Sequence, residues 1–165
     1  NKEYLKETVK VFKDVGISVS IFVDPIEEMV EAAAETGTDR IELYTEAYAS
    51  EFGFDKEKAI EPYFKAAVKA REVGLGLNAG HDLDLNNLAY FNQHIPGLLE
   101  VSIGHALISD ALYLGLEETI KRYLAALKEN TAALKAFRKG APAVTPQNPT
   151  GDIAAFFLDY VRILF

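Results

Sequence analysis

Apolar positions along the chain alternate between steps of three or four residues and short, nearly continuous runs. Tyr4, Leu5, Val9 and Phe12 recur at helical spacing and predict a helix over 3–15 that ends near Gly16. ISVSIFV (17–23) is rich in β-branched residues and reads as a strand stopped by Asp24-Pro25. Pro25 is placed to open the next helix, whose apolar face is Met29, Val30, Ala33 and Ala34 and which Gly37 ends. RIELY (40–44) is a second strand, and a polar loop with Gly53 is expected after it. A long amphipathic helix follows over about 56–73, with a first turn made irregular by Pro62. LGLN (75–78) is a third, short strand. Leu85, Leu88 and Phe91 mark a helix closed by Pro96-Gly97. LLEVSI (98–103) is the fourth strand, and helices over 106–113 and 116–128 come after it.

This order is one helix and then β-α four times, an α/β pattern that implies parallel strands joined by right-handed crossovers. Two architectures fit: a doubly wound open sheet, or part of a (β/α)8 barrel. Both bind ligands at the carboxyl ends of their strands. The positions of interest are therefore Asp24, Glu42 to Glu46, Asn78 to Asp82 and Ser102 to His105. The chain divides at about residue 128. Residues 1–128 carry the β-α units, and 129–165 form a tail of different character. That tail holds a helical extension, a stretch at 139–151 with three prolines and two glycines that reads as a linker, and an apolar segment at 152–165.

Composition narrows the function classes. The chain has 165 residues, 49% hydrophobic and 25% charged, enough for one domain with a real core. The absence of cysteine excludes disulfides and zinc-thiolate sites. No apolar run approaches 18 residues, and NKEYLKETVK lacks the apolar stretch of a signal peptide, so a cytoplasmic protein without a membrane partner is expected. A net charge of -8 argues against a nucleic-acid surface but leaves room for small phosphorylated ligands held by backbone N–H groups. The chain starts with Asn directly on a helical pattern, as a fragment or processed form would.

Two histidines carry the candidate chemistry. In NAGHD, Gly80 frees the backbone so that His81 projects from a strand tip, as a general acid or base or as a polar turn residue. In SIGHA, Gly104 and His105 stand where a strand passes into a helix. That is either a phosphate cradle on unpaired N–H groups or a simple glycine turn. Glu42 points to the face opposite Ile41 and Leu43. It is either a carboxylate in a barrel interior or an exposed residue paired with Arg40 or a lysine. Tyr44 and Glu46 read as packing and loop residues, and His94 as a surface residue at a helix C-terminus. There is no GxGxxG, GxxxxGK or GxSxG, and the histidines lack metal-ligand spacing, so no metal site is expected.

SVSIFVDPIEEM, DRIELYTEAYA, GLGLNAGHDLDLNNL and EVSIGHALISDALYLGLEETI resemble, in order and with even spacing, the pyridoxine 5′-phosphate synthase family of vitamin B6 biosynthesis. The resemblance runs over about residues 1–127. It implies a (β/α)8 barrel of which this chain supplies the second half. It also implies condensation of 3-amino-2-oxopropyl phosphate with 1-deoxy-D-xylulose 5-phosphate, with no organic cofactor or metal. By the same resemblance His81 matches a proton donor and Glu42 a carboxylate that assists the transition state. Asp82 and the pair Gly104-His105 match substrate-contacting positions, the pair at the phosphate. The full-length enzyme would be a homo-octamer. Two residues depart from the pattern: Asp82 and Glu46 each stand where many members have Gly. The half that would supply general bases and phosphate-binding arginines lies outside this chain. Two other readings stay open: a different phosphate-binding barrel enzyme of isomerase or aldolase type, and a half-barrel assembly module without catalysis. An aldolase of that kind usually places a Schiff-base lysine at a strand end, and none is found.

Overall fold

The structure is a computed structural model that describes residues 2–128; the expected tail elements in 129–165 lie outside the described residues. The elements in chain order are α1 (Lys2–Asp14), β1 (Ser20–Val23), α2 (Glu27–Ala34), β2 (Arg40–Leu43), α3 (Glu46–Phe52), α4 (Lys56–Glu72), β3 (Gly76–Gly80), α5 (Leu88–His94), β4 (Leu98–Ser102), α6 (His105–Leu114) and α7 (Leu116–Lys128). The four strands form one parallel sheet in the order β1-β2-β3-β4. Strand order follows chain order and never reverses. Repeated right-handed crossovers then carry every helix to the same side, and α2, α4, α5 and α7 pack against their neighbours as one layer. A doubly wound sheet needs a reversal and helices on both faces. The sheet is a segment of a (β/α) barrel instead.

Side-chain alternation explains why one face takes all the helices. Ile41, Leu43, Leu77, Ala79 and Val101 are fully or almost fully buried against Val30, Ala33, Tyr63, Ala66, Ala70 and Phe91 of the helical layer. The alternate positions are Phe22, Arg40, Glu42, Asn78, Glu100 and Ser102, which share the other face because register pairs Phe22, Glu42, Asn78 and Glu100 across the four strands. That face is polar and internally bonded. Arg40 Nη1 donates to Glu100 Oε2 at 3.0 Å and to Asn78 Oδ1 at 3.4 Å.

Five sequence expectations change. The polar stretch after β2 is not a loop but α3, anchored by Tyr48, whose ring meets Phe91 at 5.0 Å and Tyr63 at 5.7 Å. Phe52, one turn on, meets Tyr90 at 5.7 Å, and two apolar anchors in a seven-residue helix are too few to read as a period. Pro25 does not open α2. It sits in a tight turn in which Ile26 N donates to Asp24 O, and the helix starts at Glu27. Pro62 lies inside α4 without breaking it, because Ala59 and Ile60 before it and Tyr63, Ala66, Ala67 and Ala70 after it bury the helix on both sides of the missing N–H. The first strand begins at Ser20, not at 17, and Leu85 sits in a turn before α5.

Asp39, just before β2, ties the edge of the sheet to α1. Its Oδ2 accepts from Val19 N at 2.9 Å, and its Oδ1 meets Lys13 Nζ at 2.8 Å. Partial burial works against the charge, but the Lys13 ammonium and the Val19 N–H outweigh it, so the carboxyl ionises below its usual range. With the folded pKa below the unfolded one, falling pH protonates the unfolded chain first. The stabilisation is full above the ordinary Asp value of about 3.9 and is lost as pH drops through the depressed value. Asp39→Asn should therefore lower the urea midpoint at pH 7 and flatten its fall below about pH 4. Equal midpoints for the two proteins at pH 7 would remove Asp39 from this role.

Candidate functional site

Because the sheet is parallel, all four strands deliver their carboxyl ends to one edge. Asp24, Thr45, His81 and Gly104 each follow the end of a strand by one or two residues. The histidines that the sequence places at strand tips meet there: the His81 and His105 rings lie 5.3 Å apart between centroids at an angle of 66°. Both side chains are solvent-accessible, as groups that meet a substrate must be.

His81 owes its position to three constraints. The first is Gly80. A Cβ there would stand 2.8 Å from Ser102 N and C and closer still to Ser102 O, so only glycine lets β3 approach β4 this tightly. The second is the bond this approach allows, His81 N to Ser102 O at 2.7 Å. The third is a tight turn, Asp82 N to Gly80 O at 2.8 Å, which sets His81 at φ 54. Among the described residues His81 is the only non-glycine with positive φ. Such strain is held only where the surroundings over-determine it.

Asp82 sits against its neighbour, with His81 Nδ1 3.0 Å from Asp82 Oδ1. A carboxylate there favours the tautomer with hydrogen on Nδ1 and leaves Nε2 for a ligand. Gly104 is the N-cap of α6 without any side-chain cap, so the first N–H groups of that helix are left for an anion. Glu42 lies on the polar face of β2 and reaches across β3 to within 3.5 Å of Ser102 Oγ. Arg40, expected as a partner for Glu42, bonds to Glu100 instead. The site thus joins His81, Asp82 and His105 directly, with Glu42 one strand away, in contact with Ser102 on the polar face of the sheet.

Two residues that fall within the positions of interest, but to which sequence reasoning gave no role, hold the arrangement. Thr45 is fully buried; its Oγ1 donates to Gly80 O and accepts from Asp82 N at 3.2 Å. Ser102 supplies the carbonyl for His81. The only local signal for Thr45 is a cap-type residue ahead of a helix that was not expected. His94 behaves as expected, with Nδ1 2.7 Å from Tyr90 O and its ring stacked on Tyr90 at 3.9 Å, away from the strand ends. Tyr44 packs on Phe22 at 5.4 Å, and Glu46 opens α3 and bonds Ser50.

The electrostatics of the edge are one-sided. Residues 24, 42–46, 78–82 and 102–105 hold acidic side chains and no lysine or arginine. Burial pushes the Tyr63 hydroxyl beneath this edge up to about 12, with Glu46, Asp24 and Asp82 adding to the rise. Among the described residues no cluster of three or more His, Asp or Glu is placed to hold a metal ion, and no helix is long and apolar enough to cross a membrane.

The chain is similar to proteins of one family. A family model described as pyridoxal phosphate biosynthesis protein PdxJ matches residues 1–129. A protein of Flavobacterium johnsoniae named pyridoxine 5′-phosphate synthase is 61% identical over 128 residues, covering 78% of this chain and 54% of that protein. Proteins of the same name from Christiangramia forsetii and Cytophaga hutchinsonii are 59% and 58% identical, each with the same coverage. The chain spans about half the length of the curated relatives it matches.

Gly80→Ala should separate β3 from β4, break the His81 N to Ser102 O bond, and cost about 3 kcal/mol, the upper end for overpacking. Chemical denaturation checks this, and a loss under about 0.5 kcal/mol, the range of an indifferent substitution, would show that the strands have room.

Proposed function

Since the chain belongs to the PdxJ family of pyridoxal phosphate biosynthesis proteins, we propose that it forms the second half of a pyridoxine 5′-phosphate synthase. The substrates in this reading are 3-amino-2-oxopropyl phosphate and 1-deoxy-D-xylulose 5-phosphate, joined without organic cofactor or metal. The observation that carries the reading is the pairing of His81 with His105 at 5.3 Å on the carboxyl edge of a one-sided parallel sheet. One ring works on the reacting atoms while the other stands beside an uncapped helix start suited to a phosphate.

In this reading His81 acts as the imidazolium, with Nδ1–H held by Asp82, and gives its Nε2 proton to a departing oxygen during dehydration, returning to the tautomer with hydrogen on Nδ1. Glu42 orients a water or stabilises a cationic imine formed by the amine substrate. Gly104 and His105 hold phosphate through backbone N–H groups and the imidazole. The edge itself carries no lysine or arginine, so two phosphorylated substrates need cations from elsewhere. The other half of the barrel is where this reading puts them. A homo-oligomer and a cytoplasmic location belong to the same proposal.

In a complete enzyme carrying these residues, His81→Asn should lower kcat on the order of 10²–10⁴-fold, the usual worth of a general acid, while KM stays within a few-fold. A large rise in KM with kcat intact would make His81 a binding residue. The 165-residue chain alone should make no pyridoxine 5′-phosphate. Among the described residues β1 pairs only with β2 and β4 only with β3, so both edges offer unpaired backbone groups to a second copy. Sedimentation should show a dimer or larger species; an active monomer in a product assay would refute the half-barrel reading.

A further inference from the structure

Thr45 stands at the N-cap of α3, where a threonine hydroxyl normally accepts an N–H from the first turn of the helix. It makes no such bond. Its hydroxyl instead donates to Gly80 O and accepts from Asp82 N, the residues immediately before and after His81. A hydroxyl has one hydrogen to give and lone pairs to receive, so this single group matches both partners. It is fully buried, hence free of competition from water. Between its two contacts lies the one non-glycine residue held at positive φ among the described residues. Thr45 thus forgoes a local stabilising role to bracket a strained backbone 36 residues away, the kind of departure from local rules found at functional positions.

We propose that Thr45 is the positioning residue for His81. Its hydroxyl, delivered from the β2-α3 junction, keeps residues 80–82 turned so that the His81 ring faces His105 and a bound substrate. Ser102 O holds the turn from the β4 side and Thr45 from the β2 side, so the imidazole is fixed relative to both neighbouring strands. The proposal deepens the reading of His81 as the proton donor and rests on it.

The test compares Thr45→Val, which keeps the shape and removes the hydroxyl, with Thr45→Ser, which keeps the hydroxyl. Both are placed in the complete enzyme. Turnover is read alongside the amide-to-Hα coupling of His81, which follows φ, and thermal melting controls for folding. Thr45→Val should lower kcat roughly 10–100-fold, as a displacement of about 1 Å does, leave KM within about twofold, and shift the His81 coupling. Thr45→Ser should restore both readouts. Should the valine variant not fold, Thr45→Cys, with a weaker donor at the same place, should fall between Ser and the loss expected of Val; parent-level turnover there overturns the proposal. So does a valine variant with unchanged kcat and coupling, a serine variant as impaired as valine, or a loss carried by KM. If His81→Asn turns over as fast as the parent, it is the proton-donor reading that fails. The coupling then decides for Thr45 alone: a shift in the valine variant upholds the positioning role, and no shift overturns it.

Discussion

Ser102 O accepts the His81 N–H at 2.7 Å because Gly80 presents nothing but hydrogen to the neighbouring strand. Parallel strands ordinarily keep about 4.8 Å between them with side chains standing clear on either face. Here a glycine at the end of β3 lets the backbone of β4 come in against it. The tight turn at 80–82 then starts from a fixed point, and the histidine it carries inherits that precision. Precision on a rigid element is what a proton donor needs, since misplacement by an ångström costs as much as losing a good interaction.

The sheet supports this edge by being apolar on one face and polar on the other. Helices cover the apolar face, and the burial of residues such as Ile41, Leu43, Tyr63 and Phe91, each worth roughly 1.5–3 kcal/mol, provides most of what holds the layers together. The polar face is knit by Arg40, Asn78 and Glu100, so its charges are compensated within the sheet. In a complete barrel such a face is the interior. The half described here accordingly has a finished outside, a finished set of crossovers and two unfinished edges.

Much of this was legible in the sequence. Among the described residues, β-branched runs and helical spacing located the four strands and six of the seven helices, because the apolar residues of those elements recur at the period of the element even where few of them are fully buried. The histidines were legible because glycine before a polar residue at a strand end has few other meanings, and parallel connectivity sends all such ends to one edge. The α3 helix was not legible: it is held by Tyr48 and Phe52, through rings contributed by α4 and α5, and two anchors in seven residues are too short a pattern to read. Pro62 pointed to an irregular helix, and packing on both sides of it overrode the local cost. Arg40 was one candidate partner for Glu42 on proximity in sequence, whereas it stands opposite Gly76 and its side chain reaches across that glycine to Asn78 and Glu100. Thr45 was out of reach for the same reason, since its partners are 35 and 37 residues away.

The unused cap at the start of α3 bears on any attempt to make this protein more heat-resistant. Helix-cap repair is a routine stabilising change, and Thr45, with its side chain turned away from its own helix, is the position such a scan would choose. Aspartate is a good N-cap, but ionised it has no hydrogen to offer Gly80 O and would set a negative charge against that carbonyl. The repaired helix would be firmer and the histidine turn looser. If Thr45 positions His81 as proposed, thermostability and turnover of the complete enzyme would move in opposite directions through one side chain, and a library selected only for melting temperature would drift toward slower members.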